Sequence, residues 1–326
     1  MAKEKTATMQ IGNIVEGMQL PNYRKLCDLL GEPYKDGTSK TAQLNRWKRY
    51  FSYERQGNAF VITEVYDTPK INDDQRMLYS SYIEHLLLQY LSLMSCERDG
   101  CEIEHSIKEW CIFLGLASAQ VFDERTASEY VDGSNFSPFA FRRIVFEIVS
   151  KTRSALLSTL NRLKKDGVLD FLTKTYIVTQ TRRIEATANE CTEISQIKTE
   201  AMRAASAKNM YSVHMNKAKK KAYNEAFSRI MLERHGWDSI YISLVVLPRN
   251  FNLIQKYKGV DAEELRKKLK KQIQRSIREK LAHEQKSSEE KQDEYWDNID
   301  APNATAPFYL SKMMGNEMEF LLEELL

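Results

Sequence analysis

The sequence predicts an α+β fold, mainly helical, with short β-hairpins. Three observations carry that expectation. Apolar residues recur at helical spacing over most of the chain, as in Met77, Ile83, Leu86, Leu87, Tyr90 and Leu91. Runs rich in β-branched and aromatic residues are few and short. Twice a helix, a glycine stop and a strand follow in that order, at residues 38–66 and 151–179. The two blocks repeat an architecture and not a sequence.

With 326 residues, and about 150 per domain, the chain divides into two compact units and a helical appendage. Residues 1–20 are weakly patterned and read as an N-terminal arm. Residues 21–70 form a first unit. A short helix over Tyr23–Leu30 ends at Gly31, and Lys35-Asp36-Gly37-Thr38 is turn chemistry. Thr38 or Ser39 caps a helix to about Gln56, Gly57-Asn58 ends it, and 59–66 is a strand.

Residues 71–183 hold a helical connector and a second unit. Asn72, Asp73 or Asp74 caps a helix to Met94, in which His85 reads as a satisfied core histidine. Helices near 107–116 and 139–149 follow, separated by a polar loop. Ser150 caps a helix over 151–165, Asp166-Gly167 closes it, and 168–179 forms a hairpin around 172–175. Residues 184–285 are a basic helical region broken near 207–211. Its apolar run at 239–247 is a buried strand or a short core helix. Residues 286–326 are a polar linker and an acidic amphipathic helix over 313–326.

Composition bounds the function. The 42% hydrophobic content supports a large core, and 29% charge with only 12 Gly and 7 Pro excludes collagen-like or low-complexity chains. The longest apolar runs fall far short of the ~20 residues a bilayer requires, and no signal-peptide pattern follows Met1. Five scattered cysteines do not form a disulfide framework, so a cytoplasmic protein is expected. Cys96, Cys101, His105 and Cys111 carry zinc-type ligands, but Cys111 lies in the apolar stretch Trp110–Leu114. The expectation is a polar loop leading into a core helix, with no metal and no cofactor.

Placed at 100° per residue, Leu44, Trp47 and Phe51 face inward on the first long helix. Asn45, Arg46, Arg49 and Tyr53 then face outward, with Lys48 beside them. Such a face suits a DNA major groove, where Arg reads guanine, Asn reads adenine and Lys neutralises phosphate. An ordinary charged surface helix would share this pattern.

The second helix buries Leu156, Leu157, Leu160 and Leu163 and turns Lys151, Ser154, Ala155, Ser158, Arg162 and Lys165 to the opposite face, with Arg153 adding to the basic charge of 151–183 as a further DNA-binding candidate. Small hydroxylated residues allow close approach to base edges, and basic residues at the ends suit phosphates. Lys174 at the expected hairpin tip, with Arg182 and Arg183 just after it, is placed for the backbone or the minor groove.

Lys151-Thr-Arg-Ser-Ala-Leu-Leu-Ser-Thr-Leu-Asn-Arg-Leu-Lys-Lys-Asp-Gly-Val-Leu-Asp-Phe resembles the recognition helix and wing entry of winged helix-turn-helix proteins. The block from Asn22 through Ser39–Phe51 to Tyr66 is similar to DNA-binding or replication-type proteins of bacterial phages and plasmids. The resemblance covers about 30 residues of the second unit and implies two winged-helix units gripping repeated origin sequences, as in plasmid replication initiators.

Other chemistry is missing from the sequence. Gly31–Ser39 approaches a phosphate-loop spacing but lacks Lys after the second glycine. HExxH, GxSxG and paired-histidine nuclease motifs are absent, so no enzymic activity is expected.

Charge is segregated behind a net of +3. Residues 281–326 carry three basic and eleven acidic residues, a net of −8, which leaves +11 on residues 1–280. The basic body attracts nucleic acid in a salt-sensitive way. The acidic tail suits a protein partner's groove or the chain's own basic surface. The expected function is sequence-specific double-stranded DNA binding in replication initiation of a phage- or plasmid-type element. The alternatives are a transcriptional regulator and, from another class, a protein-interaction module. No membrane association is expected, and a homodimer is compatible with the sequence.

Overall fold

A computed structural model describes residues 9–71, 78–94, 102–122, 138–297 and 325. The architecture is α+β, with a three-stranded and a four-stranded sheet. The chain forms two compact units. One is built from 1–104, 153–172 and 245–269, the other from 105–152, 173–244 and 270–326.

In the first unit, β1 (Gln19–Leu20) leads into α1 (Tyr23–Leu30) and α2 (Gly37–Trp47), followed by β2 (Phe51–Gln56) and β3 (Ala59–Val65). The sheet order is β1-β3-β2, antiparallel throughout. Residues 51–56 are therefore a strand and not the end of a long helix. Gly57-Asn58 is a two-residue hairpin loop between Gln56 and Ala59, and Gly57 takes φ +63° there, as a glycine-first hairpin turn requires. The glycine that reads as a helix stop is equally a hairpin signal, and Phe51-Ser-Tyr has the β-forming composition.

The N-terminal stretch is also not a loose arm from Met9 onward. Met9, Ile11 and Ile14 are buried, and the Gly17 and Ile62 amides donate to the Ile62 and Met18 carbonyls.

Helix α3 (Leu78–Leu93) is buried at every position from Ser80 to Leu88. A helix enclosed on all sides must find partners for any polar residue it carries. Its expected caps at 72–74 lie outside the described residues, as do Cys96, Cys101 and the tail 313–324.

The strands β4 (Ile103–His105), β5 (Leu169–Val178), β6 (Arg183–Glu185) and β7 (Ser239–Pro248) form the second sheet in the order β4-β7-β5-β6. The run at 239–247 is thus a strand. The hairpin turn lies at 179–182, between Val178 and Arg183, and not at 172–175. Leu172-Thr-Lys-Thr contains no turn residue, and its threonines favour the extended chain.

Helices α4 (Ile107–Phe113), α5 (Ala119–Phe122) and α6 (Pro138–Lys165) precede β5. Ser106 and Glu109 form a capping box at α4. Ser150 is not a cap: α6 runs through it unbroken. No Gly or Pro interrupts Phe139–Lys165, so the ladder continues.

In the second unit, α7 (Ala188–Ala204), α8 (Met210–Met215) and α9 (Lys217–His235) pack around Ile194, Ile197, Met231 and Trp237, and around Ala201, Val213 and Tyr223. The expected break falls at 205–209, where Ser206 adopts φ +48°.

After α10 (Phe251–Gln255), α11 spans Ala262–Asp297. The expected linker is therefore helical as far as 297, because Glu, Lys and Gln dominate 284–294 and the first proline comes at 302.

Candidate nucleic-acid interface

Helices α1 and α2 are set by local rules. The Asn22 side chain accepts the Lys25 amide at 3.0 Å and caps α1. Gly31 ends it in the left-handed region, at φ 66°. Helix α2 then buries Gln43 and Trp47. Gln43 bonds Tyr23 and donates to Glu32 at 2.7 Å and to the Pro33 carbonyl at 3.2 Å. With that face fixed inward, Thr38, Thr41, Ala42 and Asn45 fall on the exposed side, flanked by Ser39 and Lys48. The 38, 41, 42, 45 spacing is one helical face.

Asn45 and Lys48 are thus exposed as expected, and the two arginines are not. Arg46 is bound to Glu32 and Asp166. Arg49 is 8% exposed, 3.0 Å from Glu84 and 3.2 Å from the Lys70 carbonyl. Tyr53 sits half-buried on β2, its ring 5.1 Å from that of Phe60. Because α2 stops at Trp47, a helical wheel extended to Arg49 and Tyr53 assigns them the wrong side.

The exposed positions in the C-terminal half of α6 are Arg153, Ser154, Ser158, Asn161, Lys164 and Lys165. Lys164 is paired with Asp170 at 2.5 Å. Lys151 and Arg162 are drawn inward: Lys151 donates to Ser276 at 2.7 Å, and Arg162 lies 2.7 Å from Glu84. Thr38, Ser39, Thr41, Ala42 and Asn161 are exposed beside the expected positions, and of these Thr38, Thr41 and Ala42 share an i, i+3, i+4, i+7 row with Asn45.

Of the expected hairpin residues, Lys174 is mid-strand, 19% exposed and 3.9 Å from Glu185. Arg182 is exposed in the 179–182 turn. The Arg183 guanidinium stacks 3.8 Å from the ring centre of Tyr176 and 4.1 Å from that of Tyr241.

Arg49 and Arg162 converge on Glu84. Its Oε1 accepts from Arg49 at 3.0 Å and from the Tyr257 hydroxyl at 3.1 Å, and its Oε2 lies 2.7 Å from Arg162. Burial would raise this carboxyl, but Arg49 and then Arg162 hold it down to about 2. Beside it, His85 is 2% exposed, with Nδ1 2.8 Å from the Ser81 carbonyl and Nε2 2.9 Å from the Pro69 carbonyl. It is a buried core histidine held between two carbonyls, to one of which the neutral ring donates, and its burial lowers its pKa.

Burial raises the Asp166 carboxyl despite Arg46. Cys111 is buried, and burial pushes its thiol up to about 11. Among the described residues no cluster of His, Cys, Asp or Glu could hold a metal ion, and no helix is long and apolar enough to cross a membrane. Comparison with protein-family models, curated proteins and solved structures finds no match.

Proposed function

We propose that this protein binds double-stranded DNA in a sequence-specific way through two winged-helix-like elements and initiates replication of a phage- or plasmid-type element. The observation that carries the reading is the exposed face of α2. Thr38, Ser39, Thr41, Ala42 and Asn45 combine small size with hydrogen-bonding capacity, and Lys48 adds positive charge. Direct readout needs such side chains: Asn for adenine, hydroxyls for either base, and a methyl group for thymine. Support also comes from the order of parts. Two helices meet at a glycine-containing turn, and a hairpin follows the second helix.

Helix α6 offers a second face of the same chemistry in Arg153, Ser154, Ser158, Asn161 and Lys165.

The test is a gel-shift with a random duplex pool across a salt series, followed by footprinting of selected sequences. Binding that weakens steeply with salt, and a footprint on repeated sites, is the expected result. Failure to retard duplex at low salt overturns the reading. A footprint on a single promoter operator would assign a transcriptional regulator instead.

A further inference from the structure

We propose that Glu84 is a positioning residue that holds α2 and the C-terminal half of α6 at one separation, so that their exposed faces meet duplex DNA at one fixed spacing. The spacing part of this inference rests on the proposed function. The clamp itself rests on geometry within the first unit.

Glu84 is 1% exposed on α3, the enclosed helix. Its two oxygens divide their partners: Oε1 takes Arg49, two residues past the end of α2, together with Tyr257, two residues past α10, while Oε2 takes Arg162 of α6. One cation just past α2 and one on α6 therefore share one anion. A second link runs parallel to it, since Arg46 of α2 reaches Asp166, the residue after α6.

A buried ion triad is a poor way to gain stability, because desolvation offsets most of the attraction and an apolar cluster of equal volume does as well. What the triad adds is direction. The Arg49–Glu84 guanidinium–carboxylate bond fixes angle as well as distance, Arg162 adds a close ion pair to the other oxygen, and these contacts are lost if either helix slides. Ridge-and-groove packing alone tolerates such movement more readily.

The fixed separation matters for DNA because of helical pitch. One inserted base pair turns the second contacted segment by about 35°. Helices held rigidly cannot follow that rotation, so they discriminate spacing, while helices that move can.

The experiment compares the wild type with Arg162→Lys and with the apolar triple variant Arg49→Met, Glu84→Met, Arg162→Met. Spin labels on p-acetylphenylalanine at the exposed positions 42 and 158 report the α2–α6 distance by electron–electron resonance in the absence of DNA. Selection from duplex pools with one base pair inserted or removed reports spacing.

The wild type should give one narrow distance distribution and a preference of about ten-fold for a single spacing. The folded variants should give broadened distributions and lose most of that preference. Distributions as narrow as the wild type's overturn the clamp. Unfolding of both variants overturns it as well, because Glu84 would then serve stability alone. Broadened distributions with no duplex binding by any form leave the clamp standing and overturn the proposed function. Broadened distributions with unchanged spacing preference overturn the link between clamp and spacing.

Discussion

Arg49 and Arg162 share one buried carboxylate: Glu84 accepts from Arg49 at 3.0 Å and lies 2.7 Å from Arg162. Both arginines belong to the segments whose charge pattern most resembles a DNA-reading surface, and both are turned inward. The exposed faces of these segments consequently carry hydroxyls, amides, lysines and Arg153, while Arg49 and Arg162 lie in the interior behind them.

Substitutions should separate these two layers. Arg49→Ala leaves Glu84 buried with one cation fewer and is expected to cost about 3–5 kcal/mol in urea unfolding. Asn45→Ala and Ser158→Ala, at exposed positions, should change stability by no more than about 0.5 kcal/mol. In gel-shifts they should instead weaken binding to the selected duplex by about 1–3 kcal/mol and relax specificity at one position each. Unchanged affinity and specificity in both would remove these faces from the interface.

Acid should act through Glu84. A carboxyl lowered on folding contributes stability that is present above its unfolded pKa and lost as pH falls through the folded one. With Arg49 and Arg162 holding Glu84 at about 2 against an ordinary 4.5, the window lies between those values. The contribution at stake is about 3 kcal/mol. Urea midpoints measured from about pH 6 down to about pH 2.5 should fall in the wild type. In Glu84→Gln this component should be absent and the curve correspondingly flatter.

Asp166 should behave differently although it also binds an arginine. Burial raises its carboxyl despite Arg46, so its contribution favours folding at low pH and fades as pH rises through the raised value. Asp166→Asn also leaves Arg46 paired with Glu32. The expected cost is about 1 kcal/mol in urea unfolding, well below that of Arg49→Ala. A loss as large as that of Arg49→Ala would mean that Arg46 needs both carboxylates.

Lysines at the edges should report charge alone. Lys48→Ala and Lys165→Ala should weaken duplex binding about equally for all sequences and reduce the salt slope by about 1 each. A sequence-dependent effect would move the residue from phosphate to base contact.

The sequence by itself determined the α+β class and those helix ends that rest on local capping. Asn22 caps α1, Gly31 ends it, and the apolar rows of 151–165 face inward, because each depends on neighbours within one or two turns. It also determined the burial of His85, through the apolar residues around it.

Tertiary structure decided everything that depends on a distant partner. Gly57 could stop a helix or turn a hairpin, and the hydrogen-bonding edge of β3 selected the hairpin. An arginine on a short helix reads as a surface charge until a buried carboxylate is known. Glu84, on α3, supplies that carboxylate to Arg49 and to Arg162, and no local pattern at 45–53 or 151–165 announces it. A buried charge is stable only when its partner arrives from another part of the chain, so the faces left exposed became legible only once the folded structure had paired the arginines.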